Sequence, residues 1–448
     1  MTLKFSYYYS GDYDINNFYC LKSLIEKANV DILAISFMKF LFIEEFSINK
    51  VEQFFLNNNN IVALYSDYYD ISNDKCELIK LQKYSKGSVR DQFDFGKVFF
   101  ININHAKTAL KYINNDLKYC SFYALTLQLS LLGEICYIPE PIYQVTNTNE
   151  QSFEKQNFAY VDPKNRQYQI EAENVFTQYL KQIGAWIAPI EKTVDDFDNQ
   201  VKQFKNLVSV IIPVKNRETT IATAINSAIN QNVDFLYNII VVDNHSTDNT
   251  PIIIDKLREK YGDKIIHIIP QTKTLGIGGC WNLAIHNKNC GAFAIQLDSD
   301  DGYSDNNVLQ KIADTFLQEK CAMIIGSYQL TDADFKPLPT AIIDHKEYTK
   351  ENGHNNALRV NGLGAPRCFF TPIIRSINFP NISYGEDYAV ALRISSKYRI
   401  VRIFDVLYNC RRWSGNSDAA PTRATQNINN ATKDFFRENE INYRRNLK

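Results

Sequence analysis

Three aspartates follow an apolar run in the second half of the chain, and their spacing could serve a metal ion. Residues 293–297 form the run, and Asp298, Asp300 and Asp301 come directly after it. The side chains of Asp298 and Asp300 point the same way if strand geometry continues between them. Carboxylates this close repel unless a cation or hydrogen-bond donors compensate them, and hard oxygen ligands suit Mg²⁺ or Mn²⁺. A solvated acidic turn is the alternative interpretation of this cluster.

Alternating strand and helix patterns surround the cluster and predict a mostly parallel sheet. Residues 207–214 and 238–242 are apolar runs of strand length, as expected of strands buried on both faces, with a helical pattern between them. Such a βαβ series binds ligands beyond the carboxyl ends of its strands. Asp243 and Asp298 both follow predicted strands, so we expect a nucleotide site at that edge.

The composition argues against several classes of protein. The 448 residues suffice for two or three domains, and 49 Lys+Arg against 50 Asp+Glu give a net charge of −1, which argues against bulk nucleic-acid binding. Nine scattered cysteines without a CxxC pair argue against zinc ribbons and disulfide scaffolds. We see no signal peptide and no apolar run of the about 18 residues that a transmembrane segment needs. A cytoplasmic protein is therefore predicted.

An internal repeat relates the two halves of the chain. Residues 119–143 align without gaps on 384–408 at an offset of 265, and eight of these 25 positions are identical. Self-similarity at a fixed spacing indicates a duplicated module. The first copy is predicted to be truncated, without counterparts of the strands at 207–214 and 238–242.

The two copies differ where the acids lie. Residues 298–301 stand opposite Met38-Lys39-Phe40-Leu41 at an offset of 260, and residues 385–387 stand opposite Cys120-Ser121-Phe122 at an offset of 265. The apolar framework survives in the first copy and the carboxylates do not. We therefore predict that residues 1–150 form a scaffold without a metal site that places the acceptor, packs or dimerises.

Five motifs in the second copy occur together and in order. They are Val208-Ser-Val-Ile-Ile-Pro-Val-Lys-Asn216, Val241-Val-Asp-Asn-His-Ser-Thr-Asp248, Leu275-Gly276 through Asn282, Leu297-Asp-Ser-Asp-Asp301 and Gly385-Glu-Asp-Tyr388. In order and spacing this set resembles family 2 glycosyltransferases of the GT-A fold. The resemblance implies an α/β fold with a Rossmann-like, mostly parallel central sheet flanked by helices. We expect a degenerate GT-A-like domain at 1–150, a helical linker at 151–205, the GT-A glycosyltransferase domain at 206–420 and a C-terminal helix at 421–448.

The resemblance also implies roles for individual residues. Asp387 would be the general base with Glu386 as its rival, and Asp300, together with Asp298, would hold Mn²⁺ or Mg²⁺ on the diphosphate. The residues expected to contact the nucleotide sugar are Pro213, Lys215, Asn216, Asp243, Asn244, Asn282, Asp298, Arg411 and Arg412. Where the family often has Ala-Arg-Asn this chain has Cys280-Trp281-Asn282, so a phosphate-side arginine is missing there. A purely structural interpretation of Glu386-Asp387 also exists, since acids are favoured in the first turn of a helix.

Five residues and the C-terminal segment have open interpretations. Trp413 could stack on a sugar or only pack, and Gly362 and Gly364 could let the backbone approach an acceptor or form an ordinary turn. Arg411 and Arg412 could bind the diphosphate or form a solvated basic turn. The helical pattern at 424–445 could close the site, pair two subunits or touch a membrane surface; intramolecular packing is the favoured interpretation.

The function predicted from these features is an inverting, metal-dependent glycosyltransferase of the hexosyl or N-acetylhexosaminyl type. It would move a sugar from a nucleotide-diphosphate sugar, UDP-sugar by preference, to a hydroxyl of a glycan or lipid-linked acceptor in surface polysaccharide biosynthesis. Its partners would be these substrates and no nucleic acid, with peripheral contact to the inner membrane face and a homodimer as further expectations. A nucleotidyltransferase on the same fold and a non-catalytic nucleotide-sugar-binding module are the alternatives.

Overall fold

The computed structural model divides the chain into two compact units. The first comprises residues 1–186 together with 421–448, and the second comprises residues 187–420. The residues that the structure describes are 3–11, 14–38, 41–72, 75–146, 165–339, 342–413, 416 and 421–447. The opposing pair Lys39-Phe40 of the repeat therefore lies outside the described residues. Among the described residues, no helix is both long and apolar enough to cross a membrane.

The first unit is built on a seven-stranded sheet. Its strands are β1 (Phe5–Tyr9), β2 (Ile32–Ser36), β3 (Leu41–Phe42), β4 (Ile61–Ser72), β5 (Lys75–Ile79), β6 (Val98–Asn102) and β7 (Glu134–Thr146). Its first five helices are α1 (Phe18–Lys27), α2 (Glu45–Asn57), α3 (Ile103–Leu110), α4 (Ser121–Leu132) and α5 (Arg166–Gln182). The strand order is β1-β2-β6-β4-β7-β3, with β5 paired to β4. All five residues of β2 are buried, so the core runs along the middle of the sheet.

The second unit is built on an eight-stranded sheet. Its strands are β8 (Val208–Val214), β9 (Tyr237–Asp243), β10 (Ile265–Ile268), β11 (Phe293–Gln296), β12 (Gly302–Tyr303), β13 (Met323–Thr331), β14 (Arg367–Phe370) and β15 (Ile400–Arg411). Its helices are α6 (Phe197–Val201), α7 (Ile221–Ile229), α8 (Thr250–Tyr261), α9 (Ile277–Ile285), α10 (Val308–Glu319), α11 (Gly353–Asn356), α12 (Thr371–Ile377) and α13 (Glu386–Ser395). The strand order is β10-β9-β8-β11-β14-β13-β15-β12.

The parallel half of the second sheet follows from its apolar runs. Strands β10, β9, β8 and β11 are mutually parallel, so their carboxyl ends lie at one edge. Every residue of β9 is buried, and α7 covers the sheet with Ile221, Ala224, Ile225 and Ala228, which recur at helical spacing. The predicted mixed α/β fold is confirmed.

The two sheets share a strand order and strand directions. Six strands of the first sheet, β1-β2-β6-β4-β7-β3, occupy the places that β8-β11-β14-β13-β15-β12 occupy in the second, and each corresponding pair has the same relative direction. In the first sheet Ala63 pairs with Ile135 and Tyr68 with Tyr143. In the second, Met323 pairs with Ile400 and Tyr328 with Tyr408. Both strand pairs therefore contain the same irregular register. A step of five positions along β4 or β13 corresponds to a step of eight positions along β7 or β15.

Two expectations about the domain organisation are wrong. The first unit does have a counterpart of the strand at 207–214, because β1 pairs with β2 as β8 pairs with β11; only the outer strands β9 and β10 lack one among its described residues. The described part of the predicted linker, residues 165–205, does not form a separate segment. Helix α5 belongs to the first unit, and the second unit begins at Ile187 rather than at 206. The apolar face of α5, with Phe176 and Leu180 buried, explains why it packs rather than links.

The C-terminal helix α14 (Arg423–Arg445) is part of the first unit. Its Asp434 carboxylate accepts hydrogen bonds from Gln82 (2.7 Å), Ser88 (2.8 Å) and Arg437 (2.6 Å). The apolar residue Phe435, which helped to predict the helix, is instead 60% exposed. A buried polar network holds the helix because each of these charged groups has a partner.

Candidate active site

The acidic strand ends of the second unit lie at the same edge of its sheet. Asp243 is the last residue of β9, and Asp298 follows β11 by two residues, with β8 between these strands. The edge is the one where parallel sheets bind ligands. This placement results from the crossovers through α8 and α9, which return the chain to begin each new strand at the opposite edge.

Asp298 is held by two neighbours. Its carboxylate accepts hydrogen bonds from the Gln296 amide at 3.0 Å for both oxygens, and its backbone N–H donates to the hydroxyl of Tyr408 at 2.9 Å. Burial raises the pKa of Asp298, with the charges of Asp300 and Asp387 acting in the same direction and that of Arg367 against it. Negative charge is therefore in excess here, which favours binding of a cation.

Asp300 faces three donors. The indole Nε1 of Trp413 and the side-chain amide of Asn416 each lie 3.3 Å from its Oδ2, and Nε of Arg217 lies 3.6 Å from the same atom. Trp413 is thus placed beside the second aspartate. Arg217 was not predicted from the sequence, yet it supplies a cationic group beside Asp300.

The third aspartate of the cluster has a different environment. Asp301 is 4% exposed and accepts a hydrogen bond from the backbone N–H of Arg411 at 2.8 Å. Burial, together with the charges of Asp298 and Asp300, raises its pKa well above the usual range. Asp301 therefore joins the acidic turn to the end of β15, rather than pointing to a ligand.

The Glu386-Asp387 pair opens helix α13. Gly385 precedes the helix with φ of 81°, a left-handed conformation that favours glycine. The carboxylate of Asp387 forms an ion pair with the guanidinium of Arg367, with 2.9 Å between Oδ2 and Nη2. Glu386 is 8% exposed, and burial, followed by the charge of Asp387, raises its pKa to about 8. A carboxyl with that pKa holds its proton at neutral pH, so Asp387 is the better placed of the two to act as a base.

Arg367 is a central residue that the sequence did not reveal. It is the first residue of β14, and its guanidinium donates to the carbonyl oxygen of Gly364 at 2.7 Å as well as contacting Asp387. Its backbone N–H donates to the side chain of Gln296 at 3.1 Å. Arg367 therefore links the strand end before Asp298 with the start of α13. An arginine directly before the apolar run Cys368-Phe-Phe370 was the available signal.

The nucleotide side of the edge contains Asp243 and Asn244. Asp243 is 1% exposed and accepts from the backbone N–H of Ser246 at 2.9 Å, with the imidazole of His267 at 3.6 Å. Burial alone would raise its pKa, but these neighbours lower it. Asn244 donates its amide to the carbonyl oxygen of Leu275 at 2.8 Å. Its Oδ1 is buried and has no hydrogen-bond partner within the described residues, so it can accept from a ligand.

The loop after β8 is tied to the loop after β9. Asn216 has φ of 53°, its N–H donates to Ser246 at 2.9 Å, and its Oδ1 accepts from the N–H of Thr247 at 2.8 Å. Asparagine tolerates this left-handed conformation. Pro213 is half-buried within β8, and Lys215 is exposed just beyond it. These residues lie at the ligand edge as predicted from their position.

Two of the predicted ligand residues have partners within the protein. Both amide atoms of Asn282 bond to the backbone of Phe379, at 2.8 and 2.9 Å, and its nucleotide contact stays a prediction. Gly364 has φ of 58° and lies against β13, where a side chain would meet Gly326 at 2.9 Å, and its contact with an acceptor stays a prediction.

The remaining predicted residues surround the end of β15. The guanidinium of Arg411 lies 4.0 Å from the ring centre of Phe335. The backbone N–H of Arg412 donates to Thr331 at 2.8 Å. Gly362 is half-buried in the loop before β14, and its contact with an acceptor stays a prediction.

The donor set fits a divalent ion only if the substrate completes it. Within the described residues no three His, Cys, Asp or Glu side chains converge as a metal site. Mg²⁺ commonly takes one or two carboxylates together with substrate phosphates. Asp298 and Asp300, two neighbouring carboxylates with excess negative charge, match that arrangement.

Comparisons with known proteins agree with this geometry. Residues 209–377 match the family Glycosyl transferase family 2. The glycosyltransferase TuaG of Bacillus subtilis, which is assigned provisionally to teichuronic acid biosynthesis, is 29% identical over 198 residues, 43% of this chain and 74% of its own. The Escherichia coli enzyme WfgD, a UDP-Glc:α-D-GlcNAc-diphosphoundecaprenol β-1,3-glucosyltransferase, is 27% identical over 192 residues, 42% of this chain and 69% of its own.

Among solved structures, Staphylococcus aureus TarS residues 1–349 in complex with UDP-GlcNAc is 22% identical with a TM-score of 0.39. The match covers 48% of this chain and 61% of that one, so the chain spans about three fifths of that structure. Residues 209–377, which lie within the second unit, thus match glycosyltransferase family 2, and the protein is a glycosyltransferase.

Proposed function

We propose that the protein is an inverting glycosyltransferase that moves a sugar from a nucleoside-diphosphate sugar to a hydroxyl of a surface glycan. The observation that carries the proposal is the pairing of Asp387 with Arg367 beside Asp298, which brings a base, a cationic group and a metal-ligand carboxylate to one edge of the sheet. The relatives support the substrate class, since their names refer to teichuronic acid and to a UDP-glucose donor with a diphosphoundecaprenol-linked acceptor.

Proton removal is the role of Asp387. An acceptor hydroxyl must lose its proton as it attacks the sugar, and a carboxylate held within hydrogen-bond reach can take it. Arg367 orients this carboxylate through its 2.9 Å contact. Glu386 keeps its own proton at neutral pH because its pKa is about 8, so it acts as a neutral neighbour rather than as a second base.

A second group of residues stabilises the negative charge on the leaving nucleoside diphosphate. Arg217 lies at Asp300 and provides a positive group there. Asp300 with Asp298 would hold a Mn²⁺ or Mg²⁺ ion, which would supply further neutralisation of the diphosphate. The free acceptor atom Oδ1 of Asn244, next to Asp243, is suited to an N–H of the base, with Lys215 and Asn216 on the neighbouring loop.

The first unit is proposed to be a duplicated and degenerate copy of the same domain. The shared strand order and the shared irregular register of β4·β7 and β13·β15 support common descent. In the first unit the second residue of α4 is Phe122, where α13 has Asp387. A phenyl ring cannot take a proton, so this unit performs no transfer.

The test is UDP-sugar turnover by the full-length protein with Mn²⁺, with the released nucleotide identified. Asp387→Asn should lower kcat by about 10²–10⁴-fold, the usual contribution of a general base, and Asp300→Ala should abolish the dependence on metal. Asp314→Asn, an exposed acid on α10, is the matched control and should retain full turnover. Release of nucleoside diphosphate supports transfer, whereas pyrophosphate would assign a nucleotidyltransferase. Unchanged turnover in both active-site variants would refute the proposal.

A further inference from the structure

The first unit contains a cavity at the place where the second unit has its reaction site. The cavity has a volume of about 220 Å³. Phe37 lies on one wall, directly after β2, as Leu297 directly follows β11. Phe122, the second residue of α4, lies on another wall and corresponds to Asp387. The loop 93–96, which leads into β6, completes the wall of the cavity. It corresponds to the loop that leads into β14 in the second unit.

The walls of this cavity are aromatic rings set at steep angles. The rings of Phe37 and Phe122 have centres 5.3 Å apart and planes inclined at 75°, and those of Phe95 and Phe122 lie 6.5 Å apart at 90°. Phe37 and Phe122 are only half-buried, so part of each ring remains open. Perpendicular rings present both faces and edges to an occupant, which suits a compact ring with C–H groups on its faces.

Polar groups surround these rings. Asp91, Asn16 and Ser88 line the cavity together with Arg90. Arg90 is 7% exposed, and its charge is matched by Asp434 at 3.6 Å. Because that positive charge already has a partner and a carboxylate lines the cavity, an anion is disfavoured. An acyl chain is disfavoured as well, since it would remove these polar groups from water without replacing their hydrogen bonds.

The cavity cannot hold the donor used by the second unit. Its volume lies below the about 300–1,000 Å³ of pockets for drug-sized ligands, so a sugar ring fits and a nucleoside-diphosphate sugar does not. In the described first unit there is also no counterpart of β9, the strand that carries Asp243. The base-binding part of the site is therefore missing together with the metal-binding acids.

We propose that this cavity binds a single uncharged pyranose ring of a glycan. Phe37 and Phe122 would contact the C–H faces of the ring, while Asp91 and Asn16 would accept and donate hydrogen bonds to its hydroxyls. Identifying that glycan with the acceptor of the second unit rests on the proposed function. The chemistry of the cavity itself, a half-open aromatic enclosure with a polar rim, does not.

The test is saturation-transfer NMR on the full-length protein with millimolar methyl glycosides of glucose, galactose and N-acetylglucosamine. An excess of UDP keeps the nucleotide site filled. Wild type should transfer saturation to at least one glycoside. Phe122→Ala should weaken binding of the glycoside about tenfold because it removes a stacking face. Asp91→Asn should weaken it about tenfold because it removes a charged hydrogen-bond partner. Tyr112→Ala, a residue of the first unit that is 60% exposed, is the matched control and should leave the signal unchanged.

Asp91→Asn is conservative, so it keeps the test decisive if Phe122→Ala unfolds. The proposal would be overturned if the wild-type protein transferred no saturation to any glycoside. It would also be overturned if both variants transferred as much saturation as the wild-type protein. Loss of the uridine signals of UDP in Phe122→Ala would also overturn it, because the cavity would then be a nucleotide site. Donor hydrolysis measured in parallel separates the two proposals. A glycoside signal that depends on Phe122 in a protein without any hydrolysis would support the cavity and reject the proposed function.

Discussion

Replacing Tyr408 by phenylalanine should disturb the candidate active site by removing one oxygen atom. Tyr408 is 1% exposed, and its hydroxyl accepts a hydrogen bond from the backbone N–H of Asp298 at 2.9 Å. Phenylalanine fits the same space and leaves that N–H without its partner. An unsatisfied buried donor costs about 1–3 kcal/mol, and for a domain of 150–250 residues each kcal/mol lowers Tm by about 2–4 °C. The second unit should therefore melt about 2–12 °C lower.

The effect on activity should be larger than this loss of stability suggests. Asp298 opens the acidic turn two residues after β11, so a change in its backbone moves the turn that includes Asp300. A misplacement of about 1 Å can lower a rate by about 10²-fold. Tyr408→Phe should accordingly slow UDP-sugar hydrolysis by up to about 10²-fold at a temperature where the protein remains folded. Initial rates of nucleotide release and thermal melting in the same buffer measure both effects.

The first unit provides a matched control at the corresponding tyrosine. The hydroxyl of Tyr143 accepts from the backbone N–H groups of Lys97 at 2.7 Å and Val98 at 3.2 Å. Tyr143→Phe should lower the stability of the first unit by a similar amount and leave donor hydrolysis unchanged. If folded Tyr408→Phe hydrolyses donor at the wild-type rate, or if both variants lose the same activity, the reasoning is refuted.

Three further substitutions test burial and charge. Glu386, whose pKa is raised to about 8 by burial and by Asp387, binds a proton in the folded state that the unfolded chain releases above about pH 4.3. Stability should thus fall as pH rises from about 4 to 8, and Glu386→Gln should flatten the dependence of Tm on pH. The carboxylate of Asp243, 3.6 Å from the imidazole, raises the pKa of His267. This stabilisation is complete below about pH 6.5 and lost above the folded pKa, so His267→Asn should cost more stability at pH 5 than at pH 8. Gly87→Ala would place a Cβ on the backbone carbonyl of α14 and should make the first unit more sensitive to proteolysis, whereas equal digestion rates would contradict that packing.

The sequence predicted elements best where a local pattern suffices. The apolar runs at 207–214 and 238–242 coincide closely with β8 and β9, because strands buried on both faces require continuous apolar residues. The contacts of Arg367 and Tyr408 could not be predicted in this way. Tyr408 reaches Asp298 across 110 residues of chain, and only the completed sheet brings them together. Local spacing contains no information on such a pair.

The same reasoning explains where the structure differs from the local pattern. Helix α14 was predicted from apolar spacing that included Phe435, but its buried face is formed by charged residues such as Asp434 and Arg437. Two partners of Asp434, Gln82 and Ser88, lie more than 300 residues away, so an amphipathic pattern could not identify the face that packs. Asn282 was assigned to the nucleotide because of its motif, whereas the backbone of Phe379 occupies its amide.

Comparison of the two units distinguishes the requirements of the fold from those of the chemistry. Both sheets keep the irregular register that places Tyr143 and Tyr408 at equivalent positions, so this register belongs to the scaffold that the two units share. At the second residue of α4 and α13 the side chain changes from phenyl to carboxylate while the helix remains. Since packing accepts either group at this position, the choice between Phe122 and Asp387 reflects what each cavity must contact. An aromatic wall suits the uncharged faces of a sugar ring, and a carboxylate suits the removal of a proton from its hydroxyl.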